Sequence, residues 1–217
     1  MGDFLEKAKA LRPDISDWVV HFTKGSRAEA REALKGILAH GLENRGLGIC
    51  FTESPIAHFS NLFNVFEPYG RRAMLAPFGV AVKKQWLFER QGRPVIYLRE
   101  DERKYLRPEV DYLFEPYAPG ELDFTWLREW RTKAERLVLS KEDTVLIFPD
   151  REEAEGVAYH FVEHWEYQGP DMEPSFEPEW DLSWRFVTLE RLQKMGGRGT
   201  SDELIEGQLK DLFEATG

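Results

Sequence analysis

Cysteine is almost missing from this sequence of 217 residues, where Cys50 stands alone. A lone thiol excludes an internal disulfide framework and a thiolate metal cluster. Long apolar runs are missing too. None approaches the roughly 20 residues that a membrane-spanning helix needs. The opening residues, MGDFLEKAKALRPD, contain no apolar signal segment, so a cytoplasmic protein without a membrane partner is expected. There is no G-x-S-x-G elbow and no Gly-rich phosphate loop, since the GRGT at 197–200 follows no strand-to-helix nucleotide unit. Positive charge is in deficit, with 29 Lys and Arg against 39 Asp and Glu, a net charge of −10. Such a chain does not track nucleic-acid backbones by bulk electrostatics. Local basic strips at Arg71-Arg72 and Lys83-Lys84 still leave a nucleic-acid acceptor open, and a basic partner suits the overall charge.

What is present describes a globular protein. Hydrophobic residues at 42% and charged residues at 31% place the chain far from disordered compositions. Its length allows one sizeable core but is short for two full domains. Aromatics at 13%, seven of them Trp, imply a dense core or a concave site for a flat ligand.

The periodicities give a coarse map. WVVHFT (18–23) alternates as a strand, with His21 and Thr23 on one face. Ser26 and Glu29 have capping-box spacing, Ala30, Ala33, Leu34, Ile37 and Leu38 form a helical stripe, and Gly41 stops it. ICFTES (49–54) is a second strand running into Pro55, with Ser54 as cap, and Ile56, Phe59, Phe63 and Phe66 line the next helix. Strands follow near 78–84 and 94–99, with one helical turn in QWLFERQG between them. Residues 100–122 are expected to be a long loop. The remaining elements are a strand around Glu129, another at 144–148, a helix capped by Asp150 and Glu153 running to about Trp165, and a proline-rich acidic loop. The chain closes with a strand near 184–189, a Gly-rich linker and an amphipathic helix at about 202–214. The predicted fold class is α+β, one domain over 1–195 with the linker and helix over 196–217.

DFTWLREWRTKAERLVL (123–139) poses the sharpest question. An alternating strand puts Leu127, Glu129 and Arg131 on one face and Trp126, Arg128 and Trp130 on the other. A carboxylate among large aromatics costs free energy unless it is paired. Glu129 is therefore held by Arg131 as a structural pair, or kept for chemistry.

The histidines divide similarly. His160, Glu163 and His164 have the H-x-x-E-H form of inverted zinc peptidases. On a helix whose buried stripe is Ala154, Val157, Ala158, Phe161, Val162 and Trp165, that triplet points to solvent. A catalytic zinc needs ligands facing a restricted cavity, so no metal site is expected. His40 suits the end of its helix, and His58 is expected to be exposed. His21 lies mid-strand, which fits a satisfied core histidine or a ligand-binding one equally well.

Taken in order, VVHFTKG, the helix end GILAHGL, ICFTESP, a strand with Tyr97, and LREWR resemble the ADP-ribosyltransferase-like superfamily. Within it they resemble the bacterial abortive-phage-infection proteins of the AbiGi type, over about residues 18–150. The resemblance implies a split, mostly antiparallel mixed sheet with flanking helices that clamps NAD as co-substrate. His21 would bind the adenosine-side ribose, with Phe22 and Thr23 beside it, and Phe51, Thr52 and Glu53 would lie near the nicotinamide. Tyr97 and Arg131 would complete the cofactor site, and Glu129 would be the catalytic carboxylate, with His21 assisting. A fixed carboxylate stabilises the oxocarbenium-like transition state of nicotinamide–ribose cleavage. The implied setting is phage defence or a toxin–antitoxin system, with a cognate toxin or antitoxin as partner. A catalytically silent antitoxin or binding module on the same fold is the alternative. The Ser-Thr-Ser strand and paired-glutamate loop of arginine-specific enzymes are missing, and the middle Tyr of the His–Tyr–Glu pattern has no clean equivalent.

Overall fold

The computed structural model describes residues 14–166, 175–194 and 201–216, together with residues 4, 7, 8, 11 and 12. A sheet of seven strands forms its centre. In chain order these are β1 (Trp18–Phe22), β3 (Ile49–Thr52), β4 (Gly79–Lys83), β5 (Arg93–Pro94), β8 (Glu129–Thr132), β10 (Thr144–Phe148) and β13 (Phe186–Thr188). Their spatial order is β13-β10-β4-β1-β3-β8-β5. All neighbours are antiparallel except β10 and β13. Short pairs lie outside this sheet: β2 (Leu42–Glu43) with β9 (Arg136–Leu137), and β6 (Ile96–Leu98) with β7 (Phe114–Pro116).

Both faces of the sheet are covered, so β10 is buried at every position and β1, expected to alternate, is buried at every position except His21. On one face, Val19, Phe51, Val80, Leu146 and Trp130 pack against helix α1 (Arg27–His40) through Ala30 and Leu34 and against α4 (Arg151–Ala158) through Ala154 and Ala158. On the other, Trp18, Val20, Phe22, Val145 and Ile147 meet α2 (Ile56–Phe66) through Ile56, Phe59 and Phe63. The C-terminal helix α6 (Ser201–Thr216) joins that face through Ile205 and Leu209. Emptying a site such as Phe59, fully buried at 0% exposure, costs ~3–5 kcal/mol. Among the described residues no helix is long and apolar enough to cross a membrane.

The sheet is held unevenly. Strand β1 pairs with β4 at five consecutive positions but meets β3 only at Val20↔Thr52. The next carbonyl along the gap, that of Cys50, is met instead by the ring of His21, with Nδ1 at 2.8 Å. A side chain therefore replaces a ladder bond where the sheet opens.

The α1 cap forms as its spacing predicts, with Ser26 and Glu29 bonded reciprocally and Gly41 ending the helix at φ 86°. Ala33 of the predicted stripe is exposed. Ser54 does not cap α2; Pro55 occupies the cap position and the Ser54 hydroxyl donates to the Trp126 carbonyl. The turn after β4 is the short helix α3 (Lys84–Glu89). Residues 100–122 are more ordered than a loop, with 3₁₀ turns at Glu100–Tyr105 and Pro108–Leu113 before β7. The helix expected to reach Trp165 ends at Ala158. Strand β11 (Tyr159–Glu166) follows and pairs with β12 (Ser175–Leu182), where a loop was expected. A short helix, α5 (Leu189–Lys194), follows β13. The expected linker at 196–200 lies outside the described residues.

Candidate functional site

The strand that carries Glu129 starts at Glu129 itself. Trp126 lies on a 3₁₀ turn (Thr125–Leu127), and Arg128 is left-handed at φ 46°. That break ends the expected alternation through both tryptophans. A left-handed arginine is unfavourable by ~1–2 kcal/mol and persists because its surroundings fix it. Arg128 donates to the carboxylate of Asp14 at 2.8 Å, to the Asp14 carbonyl at 2.6 Å and to Glu53 Oε1 at 2.9 Å. Glu53 is the hub of this end. Its Oε1 also accepts from Lys84 at 2.7 Å, and its Oε2 accepts from the Trp130 indole at 2.8 Å. Glu53 thus fastens β3 to β8 and α3, rather than standing open to a ligand.

One turn of the pleat further on, Arg131 is buried at 3% exposure and answers for Glu129. Its Nε and Nη2 both donate to Glu129 Oε1, at 2.9 and 2.6 Å. Nη2 also donates to Glu115 Oε2 at 2.8 Å, and Nη1 donates to the carbonyls of Tyr112 at 3.0 Å and Phe114 at 2.9 Å. A guanidinium has five N–H donors, and these five bonds use them all. Burial opposes the charge on Arg131, but the two glutamates outweigh it and hold the guanidinium above its ordinary range. Gly48 makes room for this arginine: at φ +121°, a Cβ there would lie 2.7 Å from Arg131 Cγ and 2.8 Å from the Thr132 carbonyl.

Two features keep the cluster from being a closed ion pair. One guanidinium serves two carboxylates, leaving one net negative charge, and Oε2 of Glu129 receives no donor from Arg131. Glu129 and Glu115 retain 12% and 15% exposure. Tyr97 sits alongside, its hydroxyl donating to the Phe124 carbonyl at 3.2 Å. Burial raises its phenol above the usual range, and the charges of Glu129 and Glu115 add to this. Cys50, paired with Arg131 across the ladder, is pushed up to about 12 by burial and then by Glu129. That thiol is inert at neutral pH.

The other expected site residues are placed differently. Thr52 stands across from both Val20 and Glu129, so Glu129 shares the sheet face of Val20 and Thr52. His21 shares the opposite face with Val19 and touches Phe51 edge-on at 5.8 Å. The expected convergence of His21, Thr23, Glu129 and Arg131 in one cleft is therefore not what the register gives. Two strand spacings separate β1 from β8, roughly 10 Å, but the side chains leave the sheet on opposite sides. Burial, more than the nearby Lys24, holds the His21 imidazole below its ordinary range despite the Cys50 bond. Thr23 donates its hydroxyl to the Phe78 carbonyl at 2.9 Å, and Thr52 donates to Leu127. Phe22 and Phe51 are core residues, 4% and 2% exposed.

Glu115 is the participant that sequence reasoning missed. It lies in the segment expected to be a loop, and a three-residue strand ending in proline carries no readable period. A cavity of about 190 Å³ lies elsewhere, between the start of α1 and Phe63, Leu75 and Leu189, and neither Glu129 nor His21 lines it. His160, Glu163 and His164 are on β11 rather than a helix, which overturns the helix-face reasoning about them; their side chains lie outside the described residues. Among the described residues no group of three or more His, Cys, Asp or Glu side chains is placed to hold a metal. In comparison with known proteins, no family model matches the chain, and no curated protein or solved structure does.

Proposed function

We propose that this chain is an ADP-ribosyltransferase-like domain of a phage-defence or toxin–antitoxin system, and that it cleaves the nicotinamide–ribose bond of NAD. The choice of NAD rests on the order of HFTKG, ICFTESP and LREWR in the sequence. The observation that carries the chemistry is the incomplete neutralisation of Glu129, whose Oε2 receives nothing from Arg131 while two carboxylates share one guanidinium. As the C1′–N bond breaks, its electron pair leaves with neutral nicotinamide and positive charge develops on the ribose. A carboxylate held rigidly by Arg131 stabilises that charge with little reorganisation. An acceptor then bonds to C1′ and gives up a proton. Tyr97, beside Glu129, offers an aromatic wall for the departing ring. His21 belongs to the scaffold in this reading, closing the gap at Cys50. Crystals grown with a non-cleavable NAD analogue test the placement. Nicotinamide beside Glu129 and Tyr97 is expected, and an analogue bound only elsewhere, or not bound at millimolar concentration, contradicts it.

A second reading has its own support. Thr23, Thr52, Glu53 and Arg131 all spend their polar groups on internal partners, and His21 faces away from Glu129. This favours a catalytically silent module that binds a cognate toxin or antitoxin. Such a module would release no nicotinamide with its partner present.

A further inference from the structure

Glu115 reaches the site from β7, far from Glu129 in sequence, and its Oε2 competes for the same Arg131 nitrogen that binds Glu129. An arginine facing one carboxylate favours a fork across both of its oxygens. Here both contacts fall on Oε1 of Glu129, and Nη2 is divided between the two glutamates. We infer that Glu115 is a positioning residue for Glu129, which draws Nη2 toward β7 and so keeps Oε2 of Glu129 free of the guanidinium. The inference rests on Glu129 as the working carboxylate. Glu115 is held in register for this by β6, where Tyr97 pairs with it, and by the Tyr117 amide bonded to the Leu98 carbonyl at 2.9 Å.

The lone thiol supplies a readout that needs no NAD. Cys50 is faced by Glu129 and Arg131 from β8, with Tyr97 and Glu115 behind them, and its carbonyl is bonded to His21 from β1. With Glu115 removed, Arg131 acts on its surroundings with less of its charge offset, so the Cys50 thiolate is favoured. The full chain is compared as wild type, Glu115→Gln and Glu115→Asp. The rate of Cys50 alkylation is followed between pH 8 and 9.5, and nicotinamide release is followed in parallel across pH. In Glu115→Gln, alkylation about 3-fold faster is expected. Its nicotinamide release is expected to fall in kcat with KM kept. Glu115→Asp, charged but shorter, is expected to recover at least half of each difference. Equal alkylation rates in all three proteins overturn the positioning role, whatever the NAD result. If wild type releases no nicotinamide while the alkylation rates separate as expected, the catalytic reading fails and the control of Glu129 by Glu115 stands.

Discussion

Replacing Arg131 with Met keeps the aliphatic stem in its seat beside Gly48 and removes every donor at its end. Glu129 and Glu115 then face each other without a counter-charge, and the Tyr112 and Phe114 carbonyls lose their donors. Breaking a buried pair by removing one partner costs ~3–5 kcal/mol. Each orphaned acceptor adds ~1 kcal/mol or more, while water reaching the partly exposed carboxylates recovers a similar amount, so ~3–5 kcal/mol remains the working figure. For a domain with ~5–15 kcal/mol of total stability this is a large share, and it lowers Tm by about 10 °C. Urea unfolding followed by tryptophan fluorescence measures it. Combining Arg131→Met with Glu129→Gln should cost less than the two changes summed. A loss below ~1 kcal/mol at neutral pH, or strict additivity, would show that the buried cluster is not what holds β7 to β8.

Three further outcomes are expected. Gly48→Ala should destabilise by ~2 kcal/mol or more, because the new Cβ meets Arg131 and the Thr132 carbonyl at a left-handed φ, and calorimetry checks it. The folded His21 pKa lies below its unfolded value of ~6.5. The unfolded chain therefore binds the proton first, so stability should fall as pH drops below about 7; His21→Gln should flatten that slope in urea titrations from pH 7.5 to 5. Gln208, buried at the edge of the sheet, bonds both the amide and carbonyl of Thr188, at 3.0 and 3.1 Å. Gln208→Leu should lose ~2 kcal/mol in chemical denaturation by leaving both groups unpaired.

Much of the scaffold was legible because local signals agreed with tertiary demands. The Ser26–Glu29 box, the Gly41 stop, the apolar run TVLIF and the Ile56–Phe59–Phe63 face each had one reading and together gave the α+β class, while the mostly antiparallel pairing of the sheet was expected from the resemblance alone. Residues 159–166 misled because Phe161, Val162 and Trp165 continue the period of the preceding helix. Antiparallel pairing with the next strand decided against the helix, and that partner sat in a stretch whose prolines and acids suggested a loop. The sequence left Glu129 either paired with Arg131 or kept for chemistry, and the Arg131 bonds to its Oε1 are present. It could not show that Arg131 was shared with Glu115, since the two strands meet only through tertiary packing. Nor could it show that the register pair Val20↔Thr52 between β1 and β3 sends His21 and Glu129 to opposite faces.

The most direct measurement is nicotinamide release from NAD by wild type and Glu129→Gln, with partner proteins and candidate acceptors present and melting curves taken alongside. Glu129→Gln preserves shape and removes charge, so release should fall about 10²-fold or more while the fold persists. Wild type releasing no nicotinamide, with Glu129→Gln altering only the melting temperature, would mean that Glu129 serves the fold alone.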